Sequence, residues 1–401
     1  MAEMNINDID RNRWLQDNFP EWGTWLNEEI EQEKVPKGKF SMWWLACTGI
    51  WVKTAEASLA IDYWAQRGRH TKKEKPYEEI KDDQMTRMTG ARVLPPYLRC
   101  SPHVLDPFAI THMDALFATH IHGDHFCPYV AAAVAKNTKA KFVGPELVCN
   151  TWKAWGIPEE RIVMVKPGDS VKVKDTEVLA VDSFDRTVLI TPPPHGVDFK
   201  KDPLPPMDER AVNYIVKTPG GSIYHTGDSH YSNGFYVHGR DHDIDVVLVS
   251  FGENGIGIQD KVTASDTLRI AQNLRAKVLI PFHYDMWSMQ SVDPGELELL
   301  HHFNRHSMKF KLLSGRWGAS SPIPTTRTRD ATTIPRGRRT STWTSPTSPS
   351  RRSCRLPITT SSGFPAGAEP APDAGKLKRT SMMSKKNRRL LWRQRISSKL
   401  R

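Results

Sequence analysis

Short apolar runs of strand length recur along the first three quarters of the chain, separated by segments whose apolar residues repeat every three or four positions. Met42-Trp43-Trp44-Leu45-Ala46, Ile50-Trp51-Val52-Lys53 and Ser58-Leu59-Ala60-Ile61-Asp62 predict three strands, and Ala115-Leu116-Phe117-Ala118-Thr119 predicts another. Further strands are expected at residues 141–143, 161–165, 170–174, 177–181, 211–217, 222–225, 245–250 and 277–281. Thr218-Pro219-Gly220-Gly221 has the chemistry of a turn and joins two of these as a hairpin. Helical spacing appears from Trp22 to Glu33, where Trp22, Trp25, Leu26 and Ile30 share a face, and again at 130–136, 147–155, 263–274 and 296–305. Thr263 and Asp266 have the spacing of a capping box, which would start the helix at 263–274. Strands come in consecutive runs and alternate with helices near both ends. That order suits an α/β fold of two sheets packed face to face with helices outside, not a strict strand–helix ladder.

After Phe310 the pattern stops. Residues 312–401 are rich in Ser, Thr, Pro and Arg, with no apolar period until a short basic end from Lys385 to Arg401. Such a composition cannot bury enough apolar surface to offset its conformational entropy, so a disordered tail is expected after a domain at 1–311. The division changes the meaning of the +11 net charge. Of 56 Lys+Arg and 45 Asp+Glu, 20 and 3 fall after residue 311, leaving 36 and 42, so the tail carries +17 and the body −6. A mildly acidic body is a poor partner for nucleic acid. Cys47, Cys100, Cys127, Cys149 and Cys354 form no CxxC pair, which points away from disulfides and thiolate zinc sites and toward a reducing cytoplasm. No apolar stretch reaches membrane-spanning length, and Met1 to Asn18 lacks the apolar core of a signal peptide.

The densest chemistry is His120-Ile121-His122-Gly123-Asp124-His125, directly after a predicted strand. Three imidazoles and a carboxylate in one turn are donors for zinc, manganese or iron, and so many together suggest two metals. Two later strand ends can complete the shell: Asp228, in Thr226-Gly227-Asp228-Ser229-His230, and His283, in Pro281-Phe282-His283-Tyr284-Asp285. Either alone would be an ordinary loop residue. With the upstream cluster they give ligands from separate strand ends on one rigid scaffold.

The His120, His122, Asp124 and His125 pattern, then Gly227-Asp228, then His283, resembles the metallo-β-lactamase superfamily. The segment from Phe19 to Ile30, Met42-Trp43-Trp44-Leu45, Thr48-Gly49-Ile50-Trp51, Asp182-Ser183-Phe184-Asp185-Arg186-Thr187 and Gly227 to Asn233 resemble, within it, the L-ascorbate-6-phosphate lactonase family. The likeness runs from about Leu15 to Lys311. It implies a four-layer αβ/βα sandwich with the metal at the open edge between the sheets. It also implies hydrolysis of the L-ascorbate 6-phosphate lactone to 3-keto-L-gulonate 6-phosphate, assisted by one or two divalent cations, manganese or zinc. His120, His122 and His283 would then be ligands, Asp124 and His125 would belong to the second half of the site, and Asp228 would bridge. One departure from the superfamily stands out, because the histidine usual between the first motif and the bridging Asp is missing. Asp185 sits where it would come, with Asp182 as the competing choice, and a carboxylate there would favour manganese over zinc.

The chemistry so implied is attack of an activated water on an ester carbonyl, with Asp124 placed to orient or deprotonate the water. His230 is taken with Asp124 as a catalytic group that hydrogen-bonds substrate or ligand. Asp62, at its strand end, is read as a partner that orients a ligand histidine. Ser183 and Cys127 lack a His-plus-acid arrangement of their own and read as structural. A sugar phosphate calls for cations, with Arg186 best placed and Arg210 and Lys261 behind it. An oligomer of identical chains is expected. A phosphodiesterase or RNase of the same superfamily is the first alternative. The second is a nucleic-acid-binding or regulatory protein working through its basic tail, where Arg338-Arg339, Arg351-Arg352 and Lys385-Lys386-Asn387-Arg388-Arg389 would suit phosphates. Members of the lactonase family continue past the Lys309-Phe310-Lys311 position with a segment resembling Pro-Phe-Ile-Trp-Gln-Val-Gly-Gly-Lys-Phe. Codons for it, read one base late, yield the string found at 312–321, so the resemblance implies a frameshift at this point.

Overall fold

The computed structural model describes residues 5–23, 26–69, 78, 97–189, 191, 205–252, 261–284, 286–287, 292–314 and 320–321. Residues 330–401 separate from 1–329 as a second unit and lie outside the described residues, as does most of the expected disordered tail.

The period-2 patterns become two sheets. In the first, β1 (Ser41–Trp44), β2 (Ile50–Lys53) and β3 (Ser58–Ile61) form an antiparallel meander. Parallel pairing then extends it through β6 (Ala115–Phe117), β7 (Lys141–Gly144) and β8 (Ile162–Met164). A two-stranded ribbon, β4 (Gly68–Arg69) and β5 (Tyr97–Leu98), lies apart from both sheets. The second sheet begins antiparallel with β9 (Ser170–Val173), β10 (Thr176–Asp182), β11 (Val212–Thr218) and β12 (Gly221–His225). It turns parallel at β13 (Val246–Ser250) and β14 (Val278–Phe282). Thr218 faces Gly221 across the expected hairpin turn.

Alternate residues of the first sheet serve two cores. Ile50, Val52, Leu59, Ile61, Phe117 and Val143 pack in one cluster with Val178, Tyr214, Val216 and Leu248 of the second sheet. Phe117 and Tyr214 meet edge to face at 5.3 Å, and the Tyr214 hydroxyl donates to the Ala118 carbonyl at 3.0 Å, which pins the two sheets together. Trp43, Trp51, Ala60, Leu116 and Phe142 point the other way, into a cluster beneath α1 (Arg11–Asn18), α2 (Leu26–Gln32), α3 (Pro128–Asn137) and α4 (Glu146–Ala154). The second sheet has its own outer layer. After the short α5 (Met207–Arg210), helices α6 (Gly234–Asp241), α7 (Ala264–Asn273) and α8 (Gly295–Asn304) follow, with Phe235, Leu268, Ile270 and Leu297 buried in its cluster. The four-layer expectation therefore holds.

Three local differences from the sequence reading have physical causes. Helix α1 was not expected because only Trp14 and Leu15 are apolar in Arg11–Asn18; Trp14 is nonetheless fully buried, its indole donating to the Ala65 carbonyl at 2.7 Å. Helix α6 was hidden by Gly234 and Gly239, and a Cβ at Gly239 would lie 2.1 Å from the Asn273 carbonyl oxygen, so α6 needs that glycine to approach α7. Trp22 pairs in an isolated bridge with His103, and the described helix starts at Leu26. Thr263 caps the start of α7, its hydroxyl accepting from the Asp266 amide, while the Asp266 carboxylate pairs with Arg269. Strand pairing also crosses the 311/312 position. β15 (Lys311–Leu312) adds parallel to β14, and β16 (Ser320–Ser321) pairs with β1.

Candidate metal centre

Each candidate donor stands just beyond the end of a strand, where a rigid sheet fixes its position. Asp62 follows β3, the 120–125 turn follows β6, Asp185 follows β10, Asp228 follows β12 and His283 follows β14. Two of these strand exits use left-handed backbone, Asp62 at φ 50° and His283 at φ 71°, and the His283 amide is tied to the Cys47 carbonyl at 3.1 Å. Gly227, at φ 49°, lets the chain before Asp228 pass Thr119, whose Oγ1 would lie 3.0 Å from an added Cβ. The two sheets meet at this point. His120 bridges to Ala211, and the Val212 amide donates to the Thr119 carbonyl at 3.0 Å.

The side chains converge in two halves that share Asp228. In one, Asp124 Oδ2 lies 3.2 Å from His283 Nε2 and 3.7 Å from His125 Nε2. Asp228 Oδ1 lies 3.2 Å from His125 Nε2 and 3.4 Å from His283 Nε2. In the other half, Asp228 Oδ2 lies 4.0 Å from both His120 Nε2 and His122 Nδ1, while Asp185 Oδ2 is 3.8 Å from His120 Nε2. His120 Nε2 and His122 Nδ1 are themselves 2.8 Å apart.

These residues fit divalent cations. His125 Nε2, His283 Nε2 and Asp185 Oδ2 are buried without a hydrogen-bond partner and are aimed at the convergence point, which is costly unless something else satisfies them. Nitrogen and carboxylate donors in this number suit a borderline or hard divalent ion. The charges are poised in the same sense. Burial opposes ionisation of Asp228 and Asp124, but His125 above all, with Lys261 and His283 for Asp228 and His283 for Asp124, holds both well below the usual carboxylate range. Burial, then His125 and His122, lower the His120 imidazole, keeping it a neutral donor. His125 is pulled down by burial yet raised further by Asp228, Asp124 and Asp62, the attraction a cation would meet in its place.

The shell around the donors is largely threonine and acid. Asp62 accepts from the Thr119 amide and Thr119 Oγ1, each at 2.7 Å, and its Oδ2 is 2.8 Å from His125 Nδ1. Thr48 Oγ1 also reaches His125 Nδ1 at 2.9 Å, and Thr191 Oγ1 reaches His122 Nε2 at 2.7 Å. Sequence reasoning missed both threonines and the neighbouring Cys47, whose Sγ is 3.9 Å from Asp124 Oδ2. Their only signal is that Cys47-Thr48 follows the end of β1. Burial, with Asp124 and Asp228 nearby, pushes the Cys47 thiol far up, so it stands beside the donors as a neutral group.

Other expected residues fall in different places. Asp185 is buried among the donors, whereas the Asp182 side chain is 69% exposed and turns to His238 at 3.4 Å. Arg210 was expected to bind substrate, but it is buried. Its guanidinium donates to the carbonyls of Pro205, Val188 and Leu189, which makes it a brace for the chain after Asp185. Lys261 was grouped with the phosphate-binding cations and instead bonds Asp228 Oδ2 at 2.6 Å. Arg186 is exposed, and its amide donates to His230 Nδ1 at 3.3 Å, so His230 packs under the loop that carries Asp185. Ser183 bonds Ser229 and the Asp185 amide, and burial pushes the Cys127 thiol up to about 11, in keeping with structural roles for both.

Residues 94–284 match the Beta-lactamase superfamily domain. Over 310 residues, 76% of this chain and 86% of the relative, the chain is 50% identical to the probable L-ascorbate-6-phosphate lactonase UlaG of Escherichia coli O127:H6 (strain E2348/69 / EPEC). Identity and coverage are the same for the equally named protein of Escherichia coli O157:H7 (strain EC4115 / EHEC). Among solved structures, the isothiocyanate hydrolase from Delia radicum gut bacteria shares the fold, with a TM-score of 0.50 and 15% identity over 71% of this chain and 99% of that one. With half its residues shared across most of a lactonase relative, and with metal donors gathered where two sheets meet, the chain belongs to the L-ascorbate-6-phosphate lactonase family of the metallo-β-lactamase superfamily.

Proposed function

We propose that the protein opens the lactone ring of L-ascorbate 6-phosphate to give 3-keto-L-gulonate 6-phosphate. The observation that carries this reading is the 50% identity to the named lactonase relatives over a stretch that includes every donor of the centre. In the reaction a water oxygen bonds to the lactone carbonyl carbon, the carbon–ring-oxygen bond breaks, and the ring oxygen takes a proton. A bound divalent cation supplies Lewis acidity at the carbonyl and makes a nearby water acidic enough to attack near neutral pH. His120, His122, Asp185 and Asp228 would hold cation on one side, and Asp124, His125, His283 and Asp228 on the other.

The rest is done by the chain's own groups. Asp124 is the most accessible of the three carboxylates, its side chain 14% exposed against 2% for Asp228 and 1% for Asp185, so it is assigned to meet the incoming water and to orient or deprotonate it. His230, held through its ring nitrogen by the Arg186 amide, is assigned to the departing ring oxygen. The exposed Arg186 guanidinium is assigned to the substrate phosphate, where a planar two-pronged donor fits best. Asp185 in place of a histidine favours manganese over zinc.

Three further parts of the reading rest on simpler observations. An acidic body argues for a small phosphorylated substrate over nucleic acid. No helix among the described residues is long and apolar enough to cross a membrane, and the buried thiols Cys47, Cys127 and Cys149 suit the cytoplasm. Leu299 and Phe303, exposed side by side on α8, suit an oligomer of identical chains. The test is an assay of the purified protein, loaded with manganese, on L-ascorbate 6-phosphate and on bis-p-nitrophenyl phosphate. Ring opening of the first supports the lactonase; turnover of only the second replaces it with a phosphodiesterase.

A further inference from the structure

Lys261 places a buried ammonium 2.6 Å from Asp228 Oδ2, the oxygen that faces His120 and His122. The other oxygen, Oδ1, accepts from Ser250 Oγ at 3.1 Å and faces His125 and His283. The carboxylate shared by the two halves is therefore not symmetric: a fixed positive charge already sits on one side of it. The imidazoles differ in the same direction. His120 Nε2 and His122 Nδ1 bond each other at 2.8 Å and must part to receive a cation, with Asp185 Oδ2 as that half's own unsatisfied atom. In the opposite half His125 Nε2 and His283 Nε2 have no hydrogen-bond partner.

We infer that Lys261 acts as a built-in counter-charge that splits the centre into one tight metal site, at Asp124, His125, His283 and Asp228 Oδ1, and one weak site at His120, His122, Asp185 and Asp228 Oδ2. The second cation competes with an ammonium for the same oxygen and pays its repulsion over a few ångströms of low-dielectric interior. The tight cation is resident; the weak one enters only at high metal concentration. This rests on the metal-hydrolase reading above and adds the order of filling and the residue that sets it.

The test counts metal directly. Metal-stripped protein is titrated with Mn2+ by calorimetry, and the metal retained after dialysis is counted by mass spectrometry, for the native chain, Lys261→Met and Lys261→Arg. The native chain is expected to retain one equivalent, with a second binding on the order of tenfold to a hundredfold more weakly. Lys261→Met is expected to tighten the second event toward the first, and Lys261→Arg, which keeps the charge, to leave it weak. His283→Ala should lose the retained equivalent while His122→Ala keeps it. Two equivalents of equal affinity in the native chain, which need no variant to fold, overturn the inference while leaving the metal hydrolase standing. An unchanged second affinity in a folded Lys261→Met also overturns it, reducing Lys261 to a structural ion pair. No retained metal in the native chain overturns the metal-hydrolase reading itself.

Discussion

Asp62 Oδ2 lies 2.8 Å from His125 Nδ1, and this contact leaves the opposite ring nitrogen, Nε2, facing Asp228 and Asp124. A carboxylate so placed sets the tautomer and ring angle of an imidazole that binds metal through its other nitrogen. Asp62→Asn keeps the shape but weakens the ring's polarisation, and metal affinity should fall by about tenfold to a hundredfold. Calorimetric titration with Mn2+ reads this. An unchanged affinity would show that Thr48, also on Nδ1 at 2.9 Å, suffices to orient the ring.

Asp124 is expected to matter more to turnover than to folding. Asp124→Asn should lower kcat by about a hundredfold to ten-thousandfold, the usual worth of a positioned acid–base group, with a folded protein by circular dichroism. His122→Ala should lose turnover as well, through the half of the centre it serves. Full activity in either variant would remove the proposed mechanism.

Chelation should abolish activity, and adding back manganese should restore more of it than zinc does, because Asp185 supplies a carboxylate to the His120 half. Replacing that carboxylate by the superfamily's more usual ligand, Asp185→His, should reverse the order. Equal restoration by both metals in the native chain would sink the assignment of hardness to Asp185.

Gly227→Ala tests the strand exit that carries Asp228. Its φ of 49° and the 3.0 Å approach to Thr119 Oγ1 leave no relaxed place for a methyl group. A cost of about 1–3 kcal/mol in stability is expected, read as a lower midpoint in denaturant, together with weaker metal binding as Asp228 shifts. Native stability in this variant would mean that the Thr119 side can yield.

His103 gives the body a pH dependence away from the metal. Burial and then Arg99 push its pKa from 6.5 down to about 2. The folded chain refuses a proton that the unfolded chain accepts below 6.5. Its contribution to stability is therefore complete above pH 6.5 and lost progressively as pH falls from there toward 2, at up to about 1.4 kcal/mol per pH unit. Thermal melts at about pH 7.5 and about pH 5.5 should differ less in His103→Gln than in the native chain. Equal differences would place the acid sensitivity elsewhere.

What the sequence reveals here follows the range of each interaction. Strand-end donors such as His283 and Asp228 are legible because a local apolar run and a following His or Gly-Asp fall within a few residues. The parallel pairing of β12, β13 and β14 then delivers them to one edge. Lys261 was read as a phosphate ligand because its partner Asp228 lies 33 positions away, beyond any local pattern. Arg210 misled for the opposite reason. A lone arginine reads as a surface charge, and only the tertiary fold shows its guanidinium closing three backbone carbonyls. Asp185 and Asp182 are three residues apart on the same strand exit, and burial alone separates them.

The bridge between His120 and Ala211, with the Val212 amide on the Thr119 carbonyl, makes the metal centre a seam between chain halves far apart in sequence. Donors that begin at His120 and end at His283 cannot assemble until both sheets have closed, so the centre is a high-contact-order feature that forms late in folding. A cation held there is in effect a cross-link between the sheets, and its binding energy counts toward holding the sandwich shut. The amide proton of Val212 would report that closure, exchanging faster when metal is withdrawn even while the outer strands stay paired.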